Sequence, residues 1–448
     1  MSRGDTIAAI ATAAGRGGIG VLRLSGPEAL NIAAALCGTL PKARTAGLRR
    51  FRDGDGEEID EGLVLVFPGP NSFTGEDVVE LQGHGGPVLL DLLLKAACTA
   101  GARVARPGEF SERAYLNGRL DLAQAEGIAD LIDAGSAAAV RAASRSLSGE
   151  FSKRVTELVD GLIALRADLE AALDFADEDV PWLDGERLAA RLRDTGSGLK
   201  RLLRQASQGR RLREGLTIAI AGQPNVGKST LLNRLAGSEA AIVSPEAGTT
   251  RDVLREHLLL RGLPVTVLDT AGLRDTEDRI EREGVRRAWA ALGQAELVLY
   301  LADDRSGFTE VDEALLAQFP AALPVLLVFS KCDLSGRPAG TFDSHEGRPA
   351  LRLSAASDLG IDALIERICE SAGLAEPEAQ PFTARTRHLQ ALLAADGHLD
   401  AALLLARSSP ELIAEELRLA QAALDEITGR YSSDDLLGRI FSTFCLGK

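Results

Sequence analysis

Apolar and polar positions change period several times along the 448 residues. Near the start the period is two. Ile19-Gly-Val-Leu-Arg-Leu24 and Asp77-Val-Val-Glu-Leu-Gln82 both alternate as half-buried strands do. In the second, Val79 and Leu81 share one face while Glu80 and Gln82 share the other. In the first, Arg23 falls on the face of Ile19 and Val21. A charge among apolar strand residues marks a solvated edge or a ligand contact, and the edge is the simpler reading. Between these strands, the basic run Lys42 to Arg52 and the turn-rich Asp53-Gly-Asp-Gly56 read as a solvated loop.

From Leu120 to Ala176 the period becomes helical. Val155, Leu158, Val159, Leu162, Leu165, Leu169 and Leu173 hold one apolar face. An acidic break from Asp174 to Pro181 ends this stretch, and a second helical segment follows. Its basic part, Lys200 to Arg213, can touch nucleic acid, although a solvated linker helix is the simpler reading. After Gly373 the chain is helical again. Ser409-Pro410-Glu411 starts a helix and Gly429 stops it, around the stripe Leu412, Ile413, Leu417, Ala420, Leu424 and Ile427. Between the helical stretches lie five strand-like runs, 216–221, 265–268, 296–301, 324–329 and 351–353, spaced for a parallel sheet with crossover helices. One helical bundle with an α/β domain inserted into it accounts for this order.

The first of those runs leads into Gly222-Gln-Pro-Asn-Val-Gly-Lys-Ser229, a phosphate-binding loop pattern with a helix-like run behind it. Glycines let backbone N–H groups turn toward phosphates, and the helix N-terminus adds positive potential. In such a loop the backbone from Asn225 through Val226 and Gly227 to Thr230 lines the phosphates, Lys228 reaches the β- and γ-phosphates, and Ser229 binds magnesium. Gly248-Thr-Thr-Arg-Asp252 lies where a switch segment supplies a second magnesium hydroxyl. Asp269-Thr270-Ala271-Gly272 follows the second strand, its carboxylate suited to the magnesium shell and its glycine N–H to a γ-phosphate. Ser330-Lys331-Cys332-Asp333 and Ser354-Ala355 follow two more. Asp333 can accept hydrogen bonds from the guanine N1–H and 2-amino group, which adenine does not offer. Five motifs in this order define a GTP hydrolase. Leu273 stands where related enzymes carry a water-orienting glutamine, which leaves Asp275, Glu277, Asp278, Glu281 and Glu283 as candidates. Asn225 is either a turn residue or a ligand for a monovalent cation between the β- and γ-phosphates.

Composition narrows the setting. Fifty basic against 65 acidic residues give a net charge of −15, so any nucleic-acid contact needs a local basic patch or a partner. Five cysteines without C-x-x-C spacing argue against a disulfide framework. No apolar run is long enough to span a bilayer, and a cytoplasmic protein with no stable membrane insertion is expected.

Further motifs carry a family resemblance over essentially the whole chain. They are Asp5-Thr-Ile-Ala-Ala-Ile-Ala-Thr12, Gly15-Arg-Gly-Gly-Ile-Gly20, Ser72-Phe-Thr-Gly-Glu-Asp77, Arg106-Pro-Gly-Glu-Phe-Ser-Glu-Arg113, Leu116-Asn-Gly-Arg-Leu-Asp-Leu-Ala-Gln-Ala-Glu126 and the terminal Phe444-Cys-Leu-Gly-Lys448. With them the sequence resembles the tRNA uridine-modification GTPases of the MnmE/TrmE family. The resemblance implies an α/β and α architecture: an N-terminal α/β folate-binding and dimerisation domain (1–118), a helical domain in two parts (119–213 and 374–448), and an inserted Ras-like G domain (214–373). It implies a homodimer that joins a flavin-containing partner in a heterotetramer and acts on tRNA, adding an aminomethyl or carboxymethylaminomethyl group to the 5-position of the wobble uridine. A tetrahydrofolate derivative (5-formyl or 5,10-methylene) would occupy a site of Arg23, Glu80, Arg119 and Lys448. Potassium would be held by Asn225, Ser244, Glu246 and Thr249, and magnesium by Ser229 and Thr250. Glu281 would orient water, and Cys445 is a candidate catalytic thiol whose simpler role is core packing. An assembly-factor GTPase that only docks on RNA is the competing class, and it has no use for the folate residues or the Cys-Leu-Gly-Lys end. Two departures stand out. Ser330 replaces the usual asparagine, and Arg119 a common lysine. The apolar C-terminal stretch is expected to dock, bringing Lys448 beside Arg23 and Glu80.

Overall fold

A computed structural model of the chain describes residues 4–174, 185–237, 255–269, 289, 292–345, 347–373, 381–405, 409–429, 434–444 and 447. They pack as two compact units: Met1–Ile132 with Ser146–Leu192 and Gly397–Lys448, and Asp133–Arg145 with Arg193–Asp396.

The first unit opens with β1 (Ile7–Ile10), β2 (Gly17–Ser25), α1 (Ala29–Cys37), β3 (Gly47–Arg52), β4 (Glu58–Phe67), β5 (Val78–Gly85), α2 (Pro87–Thr99) and β6 (Arg103–Val104). The strands form one sheet in the order β3-β4-β5-β2-β1-β6, antiparallel except for β1 beside β6. Leu22, Leu24, Val64, Val66, Val79 and Leu81 point to the face that α1 and α2 cover with Ile32, Leu36 and Leu93. Each such side chain contributes about 1.5–3 kcal/mol by leaving water. Two sequence expectations fail here. Strand β2 is interior, so Arg23 does not sit on an edge. The basic run from Lys42 is not all loop either. Its second half is β3, an edge strand whose arginines discourage pairing with another chain.

Helices α3 (Glu109–Leu116), α4 (Leu122–Ile132), α5 (Ala137–Leu147), α6 (Glu150–Asp174) and α7 (Gly185–Glu214) follow. Next comes an alternating region: β7 (Leu216–Gly222), α8 (Lys228–Ala236), β8 (Arg255–Leu260), β9 (Leu263–Asp269), β10 (Leu297–Asp303), α9 (Glu310–Leu316), β11 (Val325–Ser330), α10 (Cys332–Ser335), β12 (Gly340–His345), β13 (Arg348–Arg352) and α11 (Ile361–Ser371). Its strands form a second sheet, β12-β13-β11-β10-β7-β9-β8. The five inner strands are parallel and the two edge strands antiparallel. Near-continuous apolar runs such as Leu297 to Ala302 are what a parallel sheet buried on both faces requires.

The chain closes with α12 (Thr386–Leu405), α13 (Pro410–Thr428) and α14 (Asp434–Ser442). Helix α13 starts at Pro410 and stops at Gly429, whose φ of 81° is left-handed. It packs along α6, where Arg166 donates to Gln421 at 2.9 Å. Leu437, Ile440, Phe441 and Phe444 pack with Leu122 and Ala125 of α4. Helices from before and after the alternating region thus share one bundle, as the periodicity predicts. Leu412 is the exception within its stripe. It is exposed, while Ile413, Leu417, Ala420, Leu424 and Ile427 are buried.

Candidate nucleotide and amino-terminal sites

The phosphate-binding loop leaves β7, an inner strand beside the central β10, and enters α8. Gly222 has φ +141° and lies so close to β10 that a Cβ would stand 2.2 Å from the Leu301 carbonyl oxygen, so no larger residue fits. Asn225 has φ +62°, a left-handed conformation that asparagine tolerates well. That is reason enough for asparagine in the turn, and its exposed side chain is also open to a ligand. Lys228 donates from Nζ to the carbonyls of Gly222 and Gln223, each at 2.9 Å. Ser229 and Thr230 are exposed at the first turn of α8, while Val226 is buried.

Remote elements hold this loop. Gln223 donates from Nε2 to Asp312 Oδ1 at 2.9 Å and to Thr309 Oγ1 at 3.1 Å. The fully buried Tyr300 hydroxyl donates to the same Asp312 oxygen at 2.7 Å. Burial pushes the Asp312 carboxyl up, but hydrogen bonds from Thr309, Gln223 and Tyr300 outweigh it and leave the group below its ordinary value. Ser330, buried at the end of β11, places Oγ 2.6 Å from the Val226 carbonyl and 3.1 Å from that of Ala302. The hydroxyl therefore ties the Ser330–Asp333 loop to the phosphate loop. Lys331 donates to the Asn225 carbonyl at 2.5 Å and to Asp303 Oδ2 at 2.9 Å. The hydrogen-bonded Arg305 guanidinium, with Lys331 beside it, holds the Asp303 carboxyl well below the usual carboxylate range.

Asp333, in the first turn of α10, is exposed. The Cys332 N–H donates to the Leu353 carbonyl at 3.2 Å, which sets Ser354 and Ala355 beside that loop. The structure thus brings together Asn225, Val226, Gly227, Lys228, Ser229, Thr230, Ser330, Lys331, Asp333, Ser354 and Ala355. Asp269 ends β9 in register with Ile220 of β7, and only its backbone is described. Ser244, Glu246, Thr249, Thr250, Thr270, Ala271, Gly272, Glu281, Cys445 and Lys448 lie outside the described residues. Sequence reasoning missed Gln223, Tyr300, Asp303 and Asp312. The capping-box spacing Thr309-Glu-Val-Asp312 at the start of a helix-like run was the available sign.

A second cluster lies in the amino-terminal sheet. Arg23 and Glu80 face each other across β2 and β5, and Arg23 donates from Nε and Nη2 to Glu80 Oε1 at 3.0 and 2.8 Å. The same guanidinium sits 5.6 Å from the Phe73 ring centroid and 5.8 Å from that of Phe110. Its Nη1 is 3.5 Å from the carbonyl oxygen of Gly447, so Gly447 lies beside Arg23, while Lys448 lies outside the described residues. Arg119 is exposed and runs along Gly75, in the loop that carries Phe73. Behind the cluster, Arg113 bridges Asp5, Glu76 and Glu109, and Arg103 pairs with Asp5 and Glu109.

A sheet with five parallel inner strands, a phosphate loop leaving one of them, and the exposed Asp333 turn two strands away belong to a P-loop GTPase, an enzyme that hydrolyses GTP. Among solved structures, a variant of Era from Aquifex aeolicus bound to GDP·AlF4− is 27% identical over 44% of this chain and 69% of its own, with a TM-score of 0.29. The G domain of the T. maritima FeoB iron transporter is 25% identical over 35% of this chain and 98% of its own, with a TM-score of 0.28. Residues 6–119 match the family described as GTP-binding protein TrmE N-terminus, and residues 122–445 match the MnmE helical domain. The chain belongs to the MnmE/TrmE family of tRNA-modification GTPases. Among the described residues, no helix is long and apolar enough to cross a membrane.

Proposed function

We propose that this chain is a potassium-dependent GTPase which, with a flavin-containing partner, adds an aminomethyl or carboxymethylaminomethyl group to the 5-position of wobble uridine. It would act in the cytoplasm as a homodimer joined through residues 1–118, with 119–213 and 374–448 as the helical domain around a G domain at 214–373. The observation that carries the amino-terminal half of this reading is the meeting of Arg23, Glu80 and Gly447. A guanidinium flanked by Phe73 and Phe110 beside a carboxylate suits a flat heteroaromatic ring with donors on its edge, and tetrahydrofolate is such a ligand. Arg119 and Lys448 complete the proposed set.

The donor chemistry of the other site fits its ions as well. Ser229 offers an exposed hydroxyl at a helix N-terminus, and Asn225 an exposed amide beside it. Thr250 would join Ser229 at magnesium, while Ser244, Glu246 and Thr249 would join Asn225 at potassium. When bound, the two cations supply positive charge at the γ-phosphoryl group, and the folate supplies the one-carbon unit. Lys228 exchanges its loop carbonyls for phosphate oxygens, Asp333 accepts from the guanine edge, and Glu281 orients the attacking water. Cys445 would stand near the folate as acid, base or nucleophile.

The test is twofold. The purified protein should bind 5-formyltetrahydrofolate, and Arg23→Ala should abolish that binding. Mass spectrometry of tRNA from a deletion strain should show wobble uridine without the 5-substituent. Unchanged nucleosides in that strain would overturn the reading.

A further inference from the structure

Ser330 leaves the guanine-reading loop without the asparagine side chain that commonly braces it, yet that loop is held from a second direction. Asp304 follows β10 and is completely buried. Its N–H donates to the Ser330 carbonyl at 2.8 Å. Its carboxylate accepts from three side chains. They are the Ser335 hydroxyl, Arg337 Nη1 at 3.3 Å and Arg352 Nε at 3.1 Å. Ser335 closes α10, the single turn that opens with Cys332 and Asp333. Arg352 ends β13, two residues before Ser354, and its guanidinium lies 4.3 Å from the centroid of the Phe342 ring. One carboxylate under the sheet end thus fastens both segments that face the base.

We propose that Asp304 is a positioning residue for guanine selectivity, acting through Ser335 on the Asp333 turn and through Arg352 on the Ser354–Ala355 turn. The inference rests on the reading of Asp333 as the guanine acceptor. A two-point contact between one carboxylate and two ring donors tolerates little displacement. A turn loosened at Ser335 therefore loses the bond to the 2-amino group before it loses the nucleotide. Position Asp304 has no base contact of its own, so its effect must appear as altered discrimination.

The experiment compares the affinities of GDP and inosine diphosphate, which lacks only the 2-amino group, for the full chain and three variants. Asp333→Asn should bring the GDP-to-inosine ratio close to one. Asp304→Asn should narrow the wild-type ratio by about tenfold and Ser335→Ala by about threefold, as expected for displaced or removed hydrogen bonds. Circular dichroism verifies folding. Ser335→Ala leaves both arginines paired and decides the matter if Asp304→Asn does not fold. Loss of selectivity in Asp333→Asn with a wild-type ratio in the folded Asp304 and Ser335 variants would overturn the proposal. A wild-type ratio in Asp333→Asn would overturn the guanine reading itself, and the role of Asp304 with it.

Discussion

Removing one oxygen atom at Ser330 should loosen the phosphate loop. The hydroxyl has a single proton and two carbonyls within reach, and the 2.6 Å approach to Val226 is the shorter. Val226 belongs to the loop and is buried, so in Ser330→Ala its carbonyl loses that donor where water does not readily replace it. Such a loss costs about 1–3 kcal/mol. The ordered loop is the form that binds phosphate, so the cost falls on nucleotide binding, where 1.4 kcal/mol is about tenfold. GDP affinity should then drop between about fivefold and about 150-fold, read by titration of a fluorescent GDP at fixed magnesium and potassium. Ser330→Asn brings two N–H groups to the same two carbonyls and should bind at least as tightly as the wild type. Unchanged affinity in Ser330→Ala, together with an unchanged thermal transition, would refute the brace.

Other outcomes follow from features already described. Burial raises the Glu109 carboxyl, but bonds from Arg103 and the Arg106 N–H hold it at about 2, below its ordinary 4.5. A depressed pKa stabilises the fold above pH 4.5 and is lost as pH falls toward 2, a contribution of about 3 kcal/mol at neutral pH. Glu109→Gln should therefore flatten the acid limb of a urea-unfolding series, and an unchanged limb would contradict the pairing. Gly447 has φ +88°, and a Cβ there would lie 2.4 Å from the Ile10 carbonyl oxygen. Gly447→Ala should displace the segment from Arg23 and weaken 5-formyltetrahydrofolate binding by about tenfold or more, with GTP turnover as the control. Glu281→Ala should slow hydrolysis about a hundredfold with GTP affinity nearly unchanged. Equal turnover in sodium and potassium would count against Asn225 as a cation ligand.

Much of this was legible in the chain. The inner strands of the nucleotide sheet announce themselves as apolar runs, each ending in a polar motif, because a sheet buried on both faces leaves only its strand ends for chemistry. Edge strands were harder to see. In β3, Arg49, Arg50 and Arg52 surround Phe51, and charge suited to an exposed edge hides the alternation. Strands β8 and β12 likewise mix polar and apolar residues at the margins of their sheet. Leu412 was assigned to a buried stripe because its neighbour Ile413 belongs there, and one position is 100° of helix. The networks around Asp304 and Asp312 were out of reach. Several of their partners lie far off in the chain, Gln223 89 residues from Asp312 and Arg352 48 from Asp304. Periodicity carries no signal at that separation.

The contact between Arg23 and Gly447 joins positions 424 apart, with the whole nucleotide-binding sheet encoded between them. A ribosome therefore releases the sheet bearing Arg23 and Glu80 first and the phosphate loop later, and Gly447 only after both. A nascent chain acquires the means to hold GTP before its amino-terminal cluster is complete. A chain that stops short of α14 carries every strand of the nucleotide sheet yet presents Arg23 without the Gly447 carbonyl. Premature termination there would remove part of the amino-terminal cluster without removing any strand of the nucleotide sheet.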